Sequence, residues 1–217
     1  MGREVDLLRS ISRPKRNLAE RTQLRSPEVI RESKRYGQMY FDGPREYGYG
    51  GYKYDGRWKS VAIDLIEHFG LVAGDRILDI GCAKGFLVKE LVDLGIDAYG
   101  IDISDYAVRN CHPDVIGRIH LGNIESLPFP DNSFTCVTAI DVVHNLPRNR
   151  AAGALGELQR LSAGRAFVRV DSYRTPEQKA VFESWVLTAE YHDYPDEWIA
   201  LFEESGYTGD YCWVIIE

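Results

Sequence analysis

The chain has 217 residues, of which 44% are hydrophobic and 27% charged, and its formal net charge is −7. That length holds one α/β domain with a sizeable core and is short for two. No apolar run reaches the roughly 20 residues that span a membrane, and the first residues lack the apolar core of a signal peptide.

The charge is uneven. Residues 1–35 carry ten Lys/Arg against five Asp/Glu, whereas the remainder carries 16 against 28. A basic arm on an acidic body suits an RNA or an anionic substrate, and suits equally a solvated amphipathic helix that covers the domain. The arm has helical character interrupted at Pro14 and Pro27. Residues 36–57 are rich in tyrosine (Tyr36, Tyr40, Tyr47, Tyr49, Tyr52, Tyr54) and glycine. From there strands and helices alternate. Trp58, Val61, Ala62, Leu65, Ile66 and Phe69 mark a helix over 58–69 that ends at Gly70. Strands follow at Arg76–Ile80, Asp97–Ile103, Gly117–Leu121, Phe134–Ile140, Arg165–Val170 and Tyr211–Ile216. Helices fall between them: one marked by Leu87, Leu91 and Leu94, one over 105 to about 111 capped by Ser104, then Ala151–Leu161, 177–187 and 196–205. This order predicts a Rossmann-like, doubly wound, mainly parallel sheet of six to seven strands with helices on both faces. Residues 1–57 form an arm and a Tyr/Gly-rich lid within the same domain, and 58–217 the body. The four cysteines (Cys82, Cys111, Cys136, Cys212) are scattered without a Cys-x-x-Cys pair, which speaks for a reduced, cytoplasmic chain with no metal.

The turn after the first strand is the most informative stretch. Arg76-Ile77-Leu78-Asp79-Ile80-Gly81-Cys82-Ala83-Lys84-Gly85-Phe86 runs from a buried strand through two glycines four apart into a helix. Bare glycines let the backbone turn sharply and approach a ligand, and a helix start offers unpaired N–H groups to an anion. The dinucleotide fingerprint Gly-x-Gly-x-x-Gly would need glycine at Ala83 and Phe86, so the turn reads Gly-x-x-x-Gly instead. Asp79 can accept from an ammonium or a bound water. Asp102 lies seventeen residues past Gly85, at the end of the second strand, where a carboxylate takes two ribose hydroxyls. Ile103 can pack on an adenine face. The plain alternatives are a tight turn without a ligand and a helix-terminal charge at the Ser104 cap.

Residues 75–146 resemble the core of the class I S-adenosylmethionine-dependent methyltransferases, closest to the small-molecule type 11 kind. Ile77–Gly85 is similar to that family's first motif, Tyr99–Ser104 to its second, Gly122–Asp131 to its third-strand segment, and Asp131–Val137 to the run into strand four. The resemblance implies S-adenosylmethionine as cofactor, held by Asp79, Gly81, Cys82, Ala83, Gly85, Asp102, Ile103, Asn123, Ile124, Asp141 and Val142. Asn123 stands where the family often has Asp. The family's sheet usually has seven strands, the last antiparallel, and only one clear strand follows the 196–205 helix here.

The acceptor is less legible. Tyr49, Tyr52, Tyr54 and Arg57, with Asn145, are candidates for a lid or an acceptor site, because glycines let a loop fold over a ligand while tyrosines supply rigid contact area. Its alternative is a surface loop packed by its own rings. Where the acceptor must lose a proton, His144 is the first candidate base, with Tyr173 and His192 behind it. The resulting expectation is methyl transfer to an oxygen or nitrogen of a small polar, even anionic, metabolite by a monomer or homodimer. The alternatives are an RNA or protein methyltransferase using the basic arm, and a non-catalytic nucleotide-binding domain or NAD-dependent dehydrogenase. The acidic body and the lack of an RNA module argue against nucleic acid as a partner.

Overall fold

The computed structural model describes residues 2–11, 22–162 and 164–216; the expected break at Pro14 lies outside them. Six strands form one sheet in the order β3-β2-β1-β4-β5-β6: β1 Arg76–Ile80, β2 Asp97–Asp102, β3 Ile119–Leu121, β4 Cys136–Ile140, β5 Ala166–Asp171 and β6 Asp210–Val214. Every neighbouring pair is parallel. Strand direction therefore never reverses among the described residues, and the single strand after the last helix joins β5 directly.

Parallel strands are buried on both faces, and alternate residues feed two cores. Leu78, Val137 and Val168 point to one side, with Leu155, Leu158, Trp198, Leu201 and Phe202. These last come from α6 (Arg148–Ser162) and α8 (Pro195–Glu204). Ile77, Cys136 and Phe167 point to the other side, with Val61, Leu65, Leu87 and Leu91. Those helix residues belong to α3 (Trp58–Phe69) and α4 (Phe86–Asp93). The apolar stripe read from the sequence is the buried face of α3, and Gly70 ends that helix in the left-handed region at φ +60°, which a residue without a Cβ adopts freely.

Local chemistry sets the remaining ends. Ser104 caps α5 (Asp105–Arg109) by accepting from Ala107 N. Thr175 caps α7 (Pro176–Trp185) in the same way. Pro27 opens a helix rather than breaking one: α1 spans Pro27–Ser33, Ser26 caps it, and the proline occupies a position whose N–H would go unused. A second short helix, α2 (Gln38–Asp42), lies inside the tyrosine-rich stretch. At the β6 edge, Val5 N donates to Tyr211 O and Tyr211 N to Arg3 O, so the chain's start covers part of the open edge. Leu7 and Leu8 then enter the core beneath α3.

Candidate cofactor and acceptor site

Strand order reverses between β1 and β4, and a crevice opens there at the carboxyl ends of the strands, where ligands of α/β sheets bind. A cavity with about 760 Å³ of empty space, open to solvent, occupies the crevice. Gly81 and Ala83 of the turn, Asp102 and Ile103 beyond β2, Asn123 and Ile124 beyond β3, and Asp141 and Val142 beyond β4 all line it.

The turn is built for close approach. Gly81, Ala83 and Gly85 all have positive φ, at +72°, +51° and +74°. A Cβ on Gly81 would collide with Val142, and one on Gly85 would lie 2.7 Å from Ile119. Ala83 adopts the left-handed region despite its methyl, and its N–H donates to Asp102 Oδ2 at 2.7 Å. Ser104 N donates to Asp102 Oδ1 at 2.8 Å. The Asp102 carboxylate is thus oriented by backbone from two sides, and its remaining lone pairs are available to a ligand. Burial raises its pKa.

Asp79, Cys82 and Gly85 do not line the cavity. Asp79 is 5% exposed and accepts from Thr138 Oγ1 at 2.7 Å. Burial pushes its pKa up to about 7, against the hydrogen bond from Thr138 and with the help of the Asp102 charge. Such a carboxylate is stabilised as an anion when a cation arrives beside it. Burial raises the Cys82 thiol well above its ordinary range, so its role is packing rather than nucleophilic attack. Asp141, itself at φ +61°, forms a bidentate pair with Arg169.

The opposite wall comes from the tyrosine-rich segment, through Tyr36, Tyr40, Phe41 and Tyr49. Tyr49 is an expected member of this wall. Tyr52, Tyr54 and Arg57 do not line the cavity. Tyr52 stacks on Phe86 at 4.8 Å, Tyr54 donates to Glu90, and Arg57 is forked onto Asp55. Asn145 does line it, donating through Nδ2 to Asp141 O at 3.1 Å while its Oδ1 is buried without a partner.

The three proposed bases lie elsewhere. His144 is buried, with Nδ1 accepting from Asp171 N at 3.0 Å and Nε2 3.4 Å from Asp171 Oδ2. The ring satisfies the end of β5. Tyr173 donates to His192 O at 3.0 Å in a separate aromatic cluster with Phe182. Burial holds His192 below and Tyr173 above their ordinary pKa ranges. Sequence reading did not single out Tyr36, Tyr40, Phe41 or Leu146 as site residues. Tyr36, Tyr40 and Phe41 carried no local signal: Tyr36 stands in a left-handed turn before the short helix Gln38–Asp42 that holds the other two.

The residues present fit an adenosyl donor. Asp102 is buried at the cavity wall with lone pairs left for hydroxyl partners, Ile101, Ile103 and Ile124 offer apolar walls for a flat ring, and no lysine, arginine or histidine occurs among the described lining residues. A family model described as "Methyltransferase domain", the type 11 kind, matches residues 78–168. The "Sterol 24-C-methyltransferase erg6" of Schizosaccharomyces pombe is 28% identical over 121 residues, covering 50% of this chain and 32% of that protein. The demethylmenaquinone methyltransferase of Renibacterium salmoninarum is 30% identical over 109 residues, 49% of this chain and 43% of the other. The chain thus spans a third to a half of the length of these relatives. Among solved structures, the YcgJ protein of Bacillus subtilis superposes with a TM-score of 0.52 at 21% identity over 66% of each chain. A SAM-dependent methyltransferase of Methanosarcina mazei does so at 0.52 and 22%, over 64% of this chain and 82% of that one. These two show the fold alone. Over residues 78–168 the chain resembles a methyltransferase domain, and S-adenosylmethionine is the cofactor that this resemblance implies.

Proposed function

We propose that this chain moves a methyl group from S-adenosylmethionine to an oxygen or nitrogen of a small, polar, uncharged acceptor held against the tyrosine wall. The observation that carries the reading is a single cavity with Asp102 on one side and Tyr36, Tyr40, Tyr49 and the unpartnered Asn145 Oδ1 on the other. When bound, the cofactor supplies a methyl on a sulfonium, an electrophile that needs alignment more than activation. Asp102 would orient the ribose, and Asp79, buried outside the cavity lining, would act on the ammonium of the methionine moiety at a distance through its charge. Asn145 Oδ1 accepts a hydrogen bond from the acceptor's O–H or N–H, which turns the nucleophilic lone pair. The Tyr49 hydroxyl, protonated at neutral pH like any phenol, can donate. An anionic acceptor is disfavoured by the lack of a cation among the described lining residues and by the carboxylate of Asp102, which has no cationic partner among the described contacts.

A second reading is methylation on a ring carbon, as the name of the 2-methyl-6-phytyl-1,4-hydroquinone methyltransferase of Synechocystis suggests (27% identical over 171 residues). The apolar lining by Phe41, Ile103 and Leu146 favours it for a hydroxylated ring with an apolar tail. The macromolecular reading draws less support. Described cations of the arm engage the body: Arg25 donates to Val186 O, and Lys34 pairs with Glu190 at 2.9 Å. We place residues 1–57 within the same domain as 58–217, and the protein in the cytoplasm as a monomer or homodimer. No described helix is long and apolar enough to cross a membrane.

Calorimetry with S-adenosylhomocysteine and with NAD tests the cofactor. Radiolabelled methyl transfer to matched neutral and carboxylated phenols, with product analysis, tests the acceptor. Transfer to the neutral compound's oxygen supports the proposal. Preference for the carboxylate, or a methyl on ring carbon, overturns the acceptor assignment.

A further inference from the structure

The glycine loop carries a lysine for which the cofactor reading has no use. Lys84 is 8% exposed. Its ammonium donates to both carboxylate oxygens of Asp42, at 2.8 and 2.6 Å, and to Tyr52 O at 3.1 Å. A buried ammonium has to be fully hydrogen-bonded, and here every bond runs to one stretch of chain. Asp42, at the end of α2, also accepts from Tyr106 Oη at 2.7 Å and from Tyr52 N at 3.2 Å. The knot joins the cofactor loop, α5 and the tyrosine segment.

That segment crosses the cavity. On the β5 side, Arg25 Nε donates to Val186 O at 2.8 Å and Lys34 pairs with Glu190. Over the middle, Tyr36, Tyr40, Phe41 and Tyr49 line the cavity. Inside the segment, Tyr49 N donates to Tyr40 O and Tyr52 N to Phe41 O, so whatever holds Asp42 and Tyr52 holds the wall. Lys34 and Glu190 form an exposed pair, which contributes little. The Lys84 pair is the enclosed one, with side chains 10% and 27% exposed.

We propose that Lys84 is a positioning residue: it latches residues 36–52 onto the cofactor loop, and the latch must part before the demethylated cofactor leaves. This rests on the methyltransferase reading of the cavity. The lysine reads the position of the wall through Asp42, and the loop that carries it touches the ligand through its neighbour Ala83. Cofactor residence and acceptor-wall placement are therefore coupled through one ion pair.

The test uses the full chain and S-adenosylhomocysteine as probe. Stopped-flow dissociation is measured for the parent, Lys84→Met, Asp42→Asn and the double variant, together with amide exchange of the ligand-free proteins. Each single variant is expected to release the probe about tenfold faster, and the double variant no faster than the quicker single one, because both remove the same contact. Exchange over 40–52 rises while that of β1 and β4 holds. Asp42→Asn keeps the shape of the side chain and carries the test if Lys84→Met does not fold. Release and exchange within about twofold of the parent in Asp42→Asn, or additive effects in the double variant, would overturn the latch. A parent that binds no S-adenosylhomocysteine removes the methyltransferase reading instead, and the exchange comparison still decides whether Lys84 holds the segment.

Discussion

At the residue scale, the carboxylates of Asp102 and Asp79 have different surroundings. Asp102 is held by two backbone N–H groups, so removing it frees the turn as well as a hydroxyl partner. Asp102→Ala should weaken S-adenosylhomocysteine binding by about tenfold or more, near 1.4 kcal/mol per decade, as calorimetry will read. Asp79 is the pH-sensitive member. Its folded pKa, about 7, lies above the unfolded carboxylate value. Folding therefore carries a bound proton that is lost as pH rises, and the contribution of Asp79 to ligand-free stability declines between about pH 4 and pH 7. Asp79→Asn should raise the melting temperature more at pH 8 than at pH 5. In the parent, S-adenosylhomocysteine binding should strengthen as pH rises through about 7, because the charged Asp79 carboxylate attracts a cationic ligand group in the neighbouring cavity even without touching it; in Asp79→Asn that rise should vanish. His144 makes the contrasting case. A histidine beyond a strand near a crevice suits a base by position, yet its Nδ1 already accepts from the Asp171 N–H at the end of β5. His144→Ala should therefore cost stability and leave the shape of the pH–rate profile unchanged.

At the element scale, the β1–α4 turn is the part most sensitive to substitution. Gly81 needs both a positive φ and empty space beside Val142. Gly81→Ala must displace the wall or the turn, and should reduce S-adenosylhomocysteine affinity by about tenfold or more while leaving the far-UV circular dichroism intact. Ala83 shows that the left-handed conformation is tolerated at one non-glycine position, where a backbone bond to Asp102 fastens it. Most element boundaries were legible. Trp58–Phe69 and Arg76–Ile80 have the ends their apolar spacing predicts, since one buried face or two leaves a period in the sequence. The short helix α2 was not legible. Its residues are held by aromatic contacts to Ala83 and Ala107 across the domain, and such a contact leaves no local period.

At the scale of the whole molecule, the six-stranded sheet ends at β6 with the chain's own beginning laid along it. The expectation that a strand is missing relative to the seven-stranded pattern agrees with this sheet, and what stands at its edge came only from the fold. Leu8 is 1% exposed beneath α3, so Leu8→Ala should cost about 2–5 kcal/mol in urea unfolding. The basic character of residues 1–35 bears on partners through salt. If the arm tracked RNA, binding would fall steeply between 50 and 200 mM salt; a flat response in a filter-binding titration is expected instead, because described arm cations already face Glu190 and Val186.

Of the eleven residues named for the cofactor from the chain alone, eight line the cavity, and Asp79, Cys82 and Gly85 do not. The cofactor half depends on short motifs at strand ends, where a carboxylate, two bare glycines and a helix start are consecutive in sequence and therefore adjacent in space. Gly81 and Asp102 declare themselves because backbone geometry leaves few residue types able to stand there. The acceptor half was not legible in this way. Which tyrosines face the cavity, that Arg57 turns to Asp55, that His144 serves β5, and that Lys84 reaches back to Asp42 are all settled by contacts between segments tens of residues apart. The free energy of those contacts comes from packing and from pairing buried charge, and neither is visible until the sheet has brought the partners together.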